Sequence, residues 1–327
     1  MAAILLTQSI HPQVQARLAQ LGELRIAPDT SPDSLRRSAA GCDVIIVRAQ
    51  LPEDIFDAAP SLVGAVRHGA GVDMIPIDAA SAHGVLVANV PGVNANAVAE
   101  HVVRSMMQLA RKSSFIANRL RERTAGWASA RAFSDEGVEL AGRTVGIVGF
   151  GNVGRAIARI CAAGLGMKVL THTRTPIDAG ATAAERVALP ALLAASDFVV
   201  LACPLTAETR SLIGAAQLAT MRPGSWLINV ARGPVVQDAA LIDALQAGHL
   251  AGAALDVFDA VPLRADHPYW TMEQVLLTPH IAGITNDSML AMGHGAALAA
   301  EHLLAGRVPP HCINPEAVPA FHRRRAA

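Results

Sequence analysis

Cysteine is scarce and scattered in this chain of 327 residues, which contains only four. Cys42, Cys161, Cys203 and Cys312 lie far apart, and no two of them form a Cys-x-x-Cys pair. This spacing argues against a zinc site and against a disulfide framework, and no other metal site is predicted. Thiols of this kind fit a reducing compartment, so we expect the protein to act in the cytoplasm.

The chain also lacks an excess of charge and a long apolar run. It has 27 Lys and Arg and 27 Asp and Glu, so no overall field attracts nucleic acid or an anionic membrane. No stretch reaches the roughly 18 uncharged apolar residues that a membrane span needs, and residues 1–10 lack the basic start of a targeting signal. We therefore expect a small-molecule substrate, and neither nucleic acid nor a membrane as a partner.

Apolar residues are abundant, at 52% of the chain, and they stand in short runs about twenty residues apart. This spacing is the size of one strand plus one helix, so it predicts parallel sheets in an α/β fold. Strands are predicted at residues 4–6, 24–26, 44–47, 63–66 and 85–88, and in a second series at 144–148, 168–171, 198–201, 226–230, 253–257 and 275–277.

Helices are predicted between these strands. The prolines at 12, 32 and 52 suit the first turn of a helix. A helical period of apolar residues predicts one long helix over residues 96–119, and a second such segment covers 287–304 before Gly306.

A glycine pattern follows the first strand of the second series. Gly149, Gly151 and Gly154 form Gly-x-Gly-x-x-Gly between that strand and a helix-like stretch. Glycine there permits a tight turn, close approach of a pyrophosphate to the backbone, and close packing of the helix on the strand. The phosphates would rest on the helix N-terminus, where Asn152 and Val153 lie. The strand–turn–helix context therefore favours a dinucleotide site.

The order of these segments predicts two doubly wound parallel-sheet domains. Residues 99–287 are predicted to form a Rossmann dinucleotide-binding domain, which is inserted into a flavodoxin-like substrate domain made of residues 1–98 and 288–327. The reaction is expected in a cleft between the two domains.

Three ionisable residues follow strands of the second series: Arg232, Asp256 and His280. Hydride transfer to a 2-oxo acid needs a cation for the carboxylate and carbonyl, and a proton donor for the developing alkoxide. Arginine supplies a planar fork, and histidine a pKa near neutrality. Each residue alone could equally be salt-bridged or capping, but three of them after a nucleotide motif favour catalysis.

Four segments together resemble the signatures of the D-isomer-specific 2-hydroxyacid dehydrogenases, at residues 69–73, 229–233, 255–258 and 278–283. The resemblance spans nearly the whole chain. It implies that Arg232 binds the substrate's carboxylate and carbonyl, that His280 is the general acid/base, and that Asp256 helps to set protonation and orientation. It also implies that main-chain amides at Ala70 and Gly71 hold the carboxylate, as an anion nest can.

The resemblance implies further contacts of two kinds. Arg48 and Arg67 fall where relatives place extra anion contacts, although a structural ion pair is the alternative for both. Cofactor contacts are expected at Cys203, Pro204, Val230, Ala231 and Gly283. Cys203 is interpreted as a small packing residue in preference to a reactive thiol. His68 is expected to be a structural hydrogen-bonding residue.

One position departs from the family pattern. Relatives carry a glutamate that bonds the catalytic histidine, and Val261 stands in its place here. Loss of that carboxylate predicts a lowered pKa for His280 and an acid-shifted optimum for reduction, unless Asp256, Asp259 or Asp266 substitutes. The same gap keeps open a dinucleotide-sensing binding protein without catalysis.

Cofactor choice depends on the end of the second strand of the nucleotide fold. Dehydrogenases selective for NAD carry an acidic residue there, whereas this chain has Thr173 and Arg174. Arg174 could pair with a 2′-phosphate, so NADP is the preferred cofactor. NAD remains possible if Arg174 faces solvent beside a tolerant pocket.

The sequence thus predicts an NADPH-dependent reductase of a small 2-oxo acid, such as glyoxylate or hydroxypyruvate, which forms the D-2-hydroxy acid. A formate- or phosphite-type dehydrogenase is the alternative among enzymes. The family resemblance implies a homodimer, with the neighbourhood of Trp127 as a candidate contact. A loop packed on its own domain is the simpler interpretation of that segment.

Overall fold

The computed structural model describes residues 2–121, 123–133, 136–176 and 184–326, which form two compact α/β units. The first unit comprises Met1–Asn94 and Ile284–Ala327, and the second comprises Ala95–Gly283. Both boundaries lie four residues before the predicted ones. The earlier boundary follows from the helix that begins at Ala95, because that helix packs throughout on the second unit.

The first unit contains a five-stranded parallel sheet. Its strands are β1 (Ala3–Leu6), β2 (Glu23–Ile26), β3 (Val44–Val47), β4 (Gly64–Arg67) and β5 (Leu86–Ala88), in the order β2-β1-β3-β4-β5. Every residue of β1 and β3 is buried, as expected for strands covered on both faces. The order 2-1-3-4-5 is that of flavodoxin-like folds, so the predicted α/β class is confirmed for this unit.

Four helices connect these strands: α1 (Pro12–Ala19), α2 (Pro32–Ala39), α3 (Ile55–Ala58) and α4 (Ile77–Ala82). The predicted helix starts at Pro12 and Pro32 are confirmed. The start predicted at Pro52 is wrong, because the short α3 begins three residues later, after Asp54.

The second unit contains a seven-stranded parallel sheet. Its strands are β6 (Thr144–Val148), β7 (Lys168–His172), β8 (Ala184–Arg186), β9 (Phe198–Leu201), β10 (Trp226–Asn229), β11 (Gly252–Leu255) and β12 (Val275–Leu277). Counted from β6, their spatial order is 3-2-1-4-5-6 with a seventh strand at the end, which confirms the predicted Rossmann fold. The edge strand β8 has no counterpart among the predicted strands.

The helices of this unit are α5 (Ala95–Ala110), α6 (Ser113–Leu120), α7 (Thr124–Ala132), α8 (Asn152–Arg159), α9 (Leu189–Ala195), α10 (Ala215–Thr220) and α11 (Asp238–Gln246), and a π-helical turn, Ile160–Gly164, continues α8. The single helix predicted over 96–119 is wrong. Lys112 adopts a left-handed backbone conformation (φ 49°), which ends α5 before α6 begins.

The chain then returns to the first unit with α12 (Asn286–Leu304) and α13 (Val318–Ala326). Thr285 caps α12 by accepting a hydrogen bond from the Ser288 amide at 3.0 Å. The helix packs tightly on β4, since a Cβ atom at Gly64 would lie 2.3 Å from Leu303. Among the described helices, none is both long and apolar enough to cross a membrane.

Candidate active site

The glycine turn between β6 and α8 has the geometry that close packing requires. Gly149 has φ 95°, and a Cβ there would lie 2.7 Å from the backbone of Cys203. A Cβ at Gly154 would lie 2.3 Å from the carbonyl oxygen of Gly149. A Cβ at Gly151 would instead meet no atom within 4 Å. Two of the glycines therefore serve the fold, and the third leaves the space beside the helix N-terminus open.

A pocket of about 400 Å³ opens beside this turn. It lies at the carboxyl ends of β6 and β9, where the strand order of the sheet reverses, and doubly wound folds bind ligands at that point. Its lining includes six of the predicted cofactor residues, Gly149, Gly151, Thr173, Arg174, Cys203 and Pro204, together with Arg155, Glu208 and Thr209.

The residues of the pocket fit a dinucleotide pyrophosphate. Asn152 is exposed at the first position of α8, where helix amides have no partner within the helix, while Val153 packs against the core. Open space at Gly151 lets a phosphate approach those amides. Burial raises the pKa of the Cys203 thiol, which favours the packing role over a reactive one.

Two arginines and one carboxylate surround the end of β7. Arg186 donates hydrogen bonds to the carbonyl oxygens of Thr173 (2.9 Å) and Arg174 (3.2 Å), while the Arg174 side chain is exposed. Glu208 lines the same pocket, and its pKa is lowered by a hydrogen bond with Thr206, with a smaller contribution from the charge of Arg174. Both charge signs are thus present at the end of the second strand of the nucleotide fold, the region where Rossmann folds bind the ribose 2′ substituent.

The three predicted catalytic residues follow neighbouring strands of this same sheet. Asp256 directly follows β11, while Arg232 and His280 come three residues after β10 and β12. Asn229, Leu255 and Leu277 lie in register at the ends of the three strands. Parallel strands lie about 4.8 Å apart, so the three strand ends fall within roughly 10 Å.

Asp256 anchors the loop that carries His280. The Asp256 carboxylate is buried and accepts hydrogen bonds from the hydroxyl of Thr278 (2.6 Å) and from the amides of Ile281 and Ala282 (both 2.9 Å). The Asp256 carbonyl oxygen accepts the His280 amide at 2.8 Å. His280 itself is exposed and has φ 56°, a conformation that this set of bonds maintains.

The turn that carries Arg232 is fixed from both sides. The Asn229 amide group accepts from the Ala231 amide (3.0 Å) and donates to the Arg232 carbonyl oxygen (3.1 Å). A Cβ at Gly233 would lie 1.9 Å from the carbonyl carbon of Phe258, so only glycine lets this turn meet the segment after Asp256. Of the other predicted cofactor positions, Val230 packs on the core, Ala231 is buried and Gly283 is half-buried.

The candidates to replace the missing glutamate have different surroundings. The side chain of Val261 is 80% exposed. Asp259 is exposed as well, and Asp266 forms an ion pair with Arg264 at 2.6 Å. Asp256 is the candidate that the described hydrogen bonds connect to the His280 loop, and they connect it to the loop's backbone and to Thr278.

The first unit contains the predicted anion turn after β4. Gly69 has φ 140°, and the carbonyl oxygens of Gly69, Ala70 and Gly71 accept hydrogen bonds from the Val90 amide, the Asn89 side chain and Arg67 respectively. In the hydrogen bonds that the described residues form, the amides of Ala70 and Gly71 donate to no protein acceptor. The turn therefore directs its carbonyl groups into the protein and keeps two amides available for an anion.

Arg67 supports this turn, whereas the Arg48 guanidinium donates to the carbonyl oxygen of Ser9. The Arg67 guanidinium donates to the carbonyl oxygens of Val47 (2.9 Å), His68 (2.7 Å) and Gly71 (2.9 Å), so it shapes the turn. Arg48 follows β3 at the reversal point of the first sheet, and burial lowers its pKa. These are structural contacts, and direct substrate contact by either arginine stays a prediction.

Several side chains of these regions escaped the motif analysis. Arg155 and Glu208 line the cofactor pocket, and His101 of α5 lies 3.4 Å from the hydroxyl of Thr278. Arg155 could have been identified as a pocket residue from its position in the first turn of the helix that follows the glycine motif. No sequence signal connects His101 with Thr278, because 177 residues separate them. The described residues include no group of three His, Cys, Asp or Glu side chains that could hold a metal ion.

Comparisons with known proteins agree with this geometry. Residues 103–282 match the model for the NAD-binding domain of the D-isomer specific 2-hydroxyacid dehydrogenases. The chain is 34% identical to D-3-phosphoglycerate dehydrogenase of Mycobacterium tuberculosis over 95% of its length, but it spans only 58% of that relative. It is 33% identical to glyoxylate/hydroxypyruvate reductase B of Yersinia pestis, over 96% of this chain and 98% of the relative.

A solved structure shows the same fold. The NADPH-dependent glyoxylate/hydroxypyruvate reductase of Sinorhizobium meliloti, in complex with citrate, superposes with a TM-score of 0.86 at 30% identity, over 97% of this chain and 99% of that one. With the matched domain and the relatives that align over nearly their whole length, these findings establish that the chain belongs to the D-isomer specific 2-hydroxyacid dehydrogenase family.

Proposed function

We propose that this protein reduces a small 2-oxo acid to the D-2-hydroxy acid with a nicotinamide dinucleotide as hydride donor. The observation that carries the proposal is the placement of Arg232, Asp256 and His280 at the carboxyl ends of three adjacent parallel strands. The glycine-lined pocket opens at the same end of the same sheet. Family membership and this arrangement together support an enzyme.

We assign each of the three residues a role in this reaction. The Arg232 guanidinium binds the carboxylate of the 2-oxo acid and polarises its carbonyl. A dinucleotide bound in the glycine-lined pocket would supply the hydride for the carbonyl carbon. His280 donates a proton to the carbonyl oxygen, so one hydride and one proton convert the carbonyl group to the alcohol. Asp256 keeps the His280 loop in place through its bonds to Ile281 and Ala282.

We propose that the amides of Ala70 and Gly71 bind a carboxylate. The amides of Ala70 and Gly71 have no protein acceptor among the described residues, and neighbouring amides of this kind bind carboxylates well. Arg48 and Arg67 raise the positive potential near this turn, which favours an anionic substrate over a neutral one. Gly71→Pro removes one of the two amides, so we expect it to raise the KM for the 2-oxo acid.

NADP is the proposed cofactor, with NAD as the alternative. The absence of an acid at Thr173 and the exposed Arg174 support a 2′-phosphate. Glu208 acts in the opposite direction, because its carboxylate would repel that phosphate. Arg174→Gln is therefore expected to lower the ratio of kcat/KM for NADPH to that for NADH, and Glu208→Gln to raise it. A wild-type preference for NADH would refute the assignment.

Glyoxylate and hydroxypyruvate are the proposed substrates, and the D configuration applies to the hydroxypyruvate product, since the glyoxylate product has no stereocentre. Two of the relatives that align over nearly their whole length are glyoxylate/hydroxypyruvate reductases, and one of them is NADPH-dependent. The deciding experiment measures cofactor oxidation with a panel of 2-oxo acids, and cofactor reduction with formate and phosphite, using both dinucleotides. Turnover with formate or phosphite alone would indicate a dehydrogenase of that type. Dinucleotide binding without any turnover would support a sensor.

We further propose that the protein is a cytoplasmic homodimer. All four cysteines are free, and three of them are buried. The exposed side chains of Trp127 (67%), Met107 (43%) and Leu120 (41%) give the region of α5, α6 and α7 an apolar surface that a second copy could cover. Sedimentation of the wild type and of Trp127→Ser tests this: we expect a dimer whose dissociation constant rises in the variant, and a monomeric wild type would refute it.

A further inference from the structure

His101 lies at the start of a chain of hydrogen bonds that leads to the loop around His280, residues 278–282, which we call the acid–base loop. It belongs to α5 and is half-buried, with its Nε2 atom 3.4 Å from the hydroxyl oxygen of Thr278. The Thr278 hydroxyl donates to Asp256 at 2.6 Å. A hydroxyl has only one proton, so its oxygen must accept from His101, which places a proton on Nε2 of that ring.

The same Asp256 oxygen also accepts the amide of Ile281, and the other accepts the amide of Ala282. These residues flank His280 on its carboxyl side, and Thr278 lies on its amino side. The His280 amide in turn donates to the Asp256 carbonyl oxygen. A side chain of α5 is thereby connected through two hydrogen bonds to the carboxylate that holds the whole loop.

Charge supports this connection. Burial lowers the pKa of His101, Asp256 raises it, and Arg104 on the same helix lowers it further. The net lowering favours a neutral ring at neutral pH, and Asp256 is the anion that acts on it. A neutral imidazole with its proton on Nε2 suits the donor role that the geometry requires.

We propose that His101 is a positioning residue for the acid–base loop, acting through Thr278 on Asp256. It touches neither substrate nor cofactor in this role. By donating to the Thr278 hydroxyl oxygen, His101 directs the hydroxyl proton to Asp256. It thereby fixes the rotamers of Thr278 and Asp256. The catalytic consequence rests on the proposed function, whereas the hydrogen-bond chain itself does not.

Matched substitutions distinguish loss of the hydrogen-bond donor at His101 from a change in packing. His101→Leu and Thr278→Val remove the polar group with little change in volume, while His101→Gln and Thr278→Ser retain one. We expect His101→Leu to lower kcat for the 2-oxo acid about tenfold or more, since small misplacement of a catalytic group is costly. The KM for the dinucleotide should not change, and His101→Gln should restore most of kcat. His294→Leu, at an exposed histidine of α12, is the control.

The double variant His101→Leu/Thr278→Val should be no slower than the slower single variant, because both changes interrupt one chain. Fully multiplicative losses, or a His101→Gln variant as slow as His101→Leu, would overturn the proposal.

A second measurement does not depend on turnover. We expect an NMR titration of the His101 ring to give a lower pKa in Asp256→Asn than in the wild type, because the substitution removes the anion. An unchanged pKa of His101 in Asp256→Asn would overturn the proposed hydrogen-bond chain, even if the enzyme is active. A wild type that turns over no 2-oxo acid, but shows the expected titration shift, would refute the proposed function and leave the connection between His101 and Asp256 intact.

Discussion

At the scale of single residues, the site depends on side chains that are held by the backbone around them. The Arg232 turn is fixed by Asn229, and the His280 loop is fixed by Asp256. In each case a buried side-chain amide or carboxylate forms hydrogen bonds with main-chain groups of the turn or loop. The reacting side chains therefore start from a defined backbone, which lowers the cost of reaching a productive geometry.

Arg232→Lys tests the arginine at this scale. Lysine keeps the positive charge but loses the planar fork that binds a carboxylate and a carbonyl together. We expect kcat/KM for the 2-oxo acid to fall by about 100-fold or more, the size typical for loss of one oriented donor. Steady-state kinetics measures this, with the exposed Arg307→Lys as the control. An unchanged kcat/KM would mean that Arg232 does not contact the substrate.

His68 gives a prediction about pH and stability. Its side chain is 3% exposed, and its Nε2 atom has no hydrogen-bond partner among the described residues. Burial lowers the pKa of His68 to about 4, from an ordinary 6.5, and the charges of Arg48 and Arg67 add to the effect. The unfolded chain thus binds a proton that the folded chain excludes between those values, so stability must fall as the pH falls through that window.

The loss should reach the order of 3 kcal/mol at pH 4. Denaturant unfolding between pH 7.5 and 4 measures it in the wild type and in His68→Asn, which has no group to protonate. We expect a flatter pH dependence in His68→Asn, and the wild-type slope in His322→Asn, whose histidine is exposed. Equal slopes in the wild type and His68→Asn would contradict the prediction.

At the scale of elements, the glycine turn between β6 and α8 separates folding from cofactor binding. Gly154→Ala places a Cβ 2.3 Å from a backbone oxygen, so we expect a loss of about 1–3 kcal/mol of stability. Gly151→Ala meets open space and should fold normally, but its methyl group occupies the proposed phosphate position. We expect the Kd for the dinucleotide to rise at least about tenfold.

Gly164→Ala is the matched control, because it follows α8 and its Cβ would also meet no atom within 4 Å. Cofactor fluorescence titrations and denaturant unfolding distinguish the three variants. Normal dinucleotide affinity in Gly151→Ala would place the phosphates elsewhere.

The same elements show how much of the fold the sequence predicts. Buried strands such as β3 and β9 are unbroken apolar runs, so their positions were predictable. The edge strand β8 has two exposed polar residues in a length of three and gives no such signal. The end of α5 was also hidden, because apolar periodicity does not report the backbone angle of Lys112. Local sequence patterns therefore predict buried strands, but they do not reveal a helix end that depends on the backbone angle of a single residue.

The residues of the candidate site also differ in how far the sequence predicts their placement. The placement of Arg232, Asp256 and His280 at one edge of the sheet was predictable, because all three follow parallel strands whose carboxyl ends meet at that edge. The partners of Asp256 were not predictable, since hydrogen bonds between a loop and a distant helix leave no spacing in the sequence. His101 is the example, and only the three-dimensional arrangement connects it with Thr278.

At the scale of the whole molecule, the chain leaves the first unit at Asn94 and returns to it at Ile284. The first unit is therefore built from two separate parts of the sequence, one before and one after the second unit. Asn314 connects the returning segment, residues 284–327, with residues of the first part of this unit. Its buried side chain accepts the Val87 amide at 2.8 Å and donates to Val85 and Ser81, both at 2.9 Å.

Asn314→Ala should therefore destabilise the first unit and leave the dinucleotide pocket unchanged. The variant leaves the buried Val87 amide and Val85 carbonyl without their partner, which costs about 2–4 kcal/mol for two such groups. The pocket lies entirely within the second unit, so the dinucleotide Kd should match that of the wild type. Denaturant unfolding and fluorescence titration measure the two quantities, with the exposed Asn286→Ala as the control. A parallel loss of stability and dinucleotide affinity would show that the second unit depends on the returning segment, because affinity reports on the second unit alone.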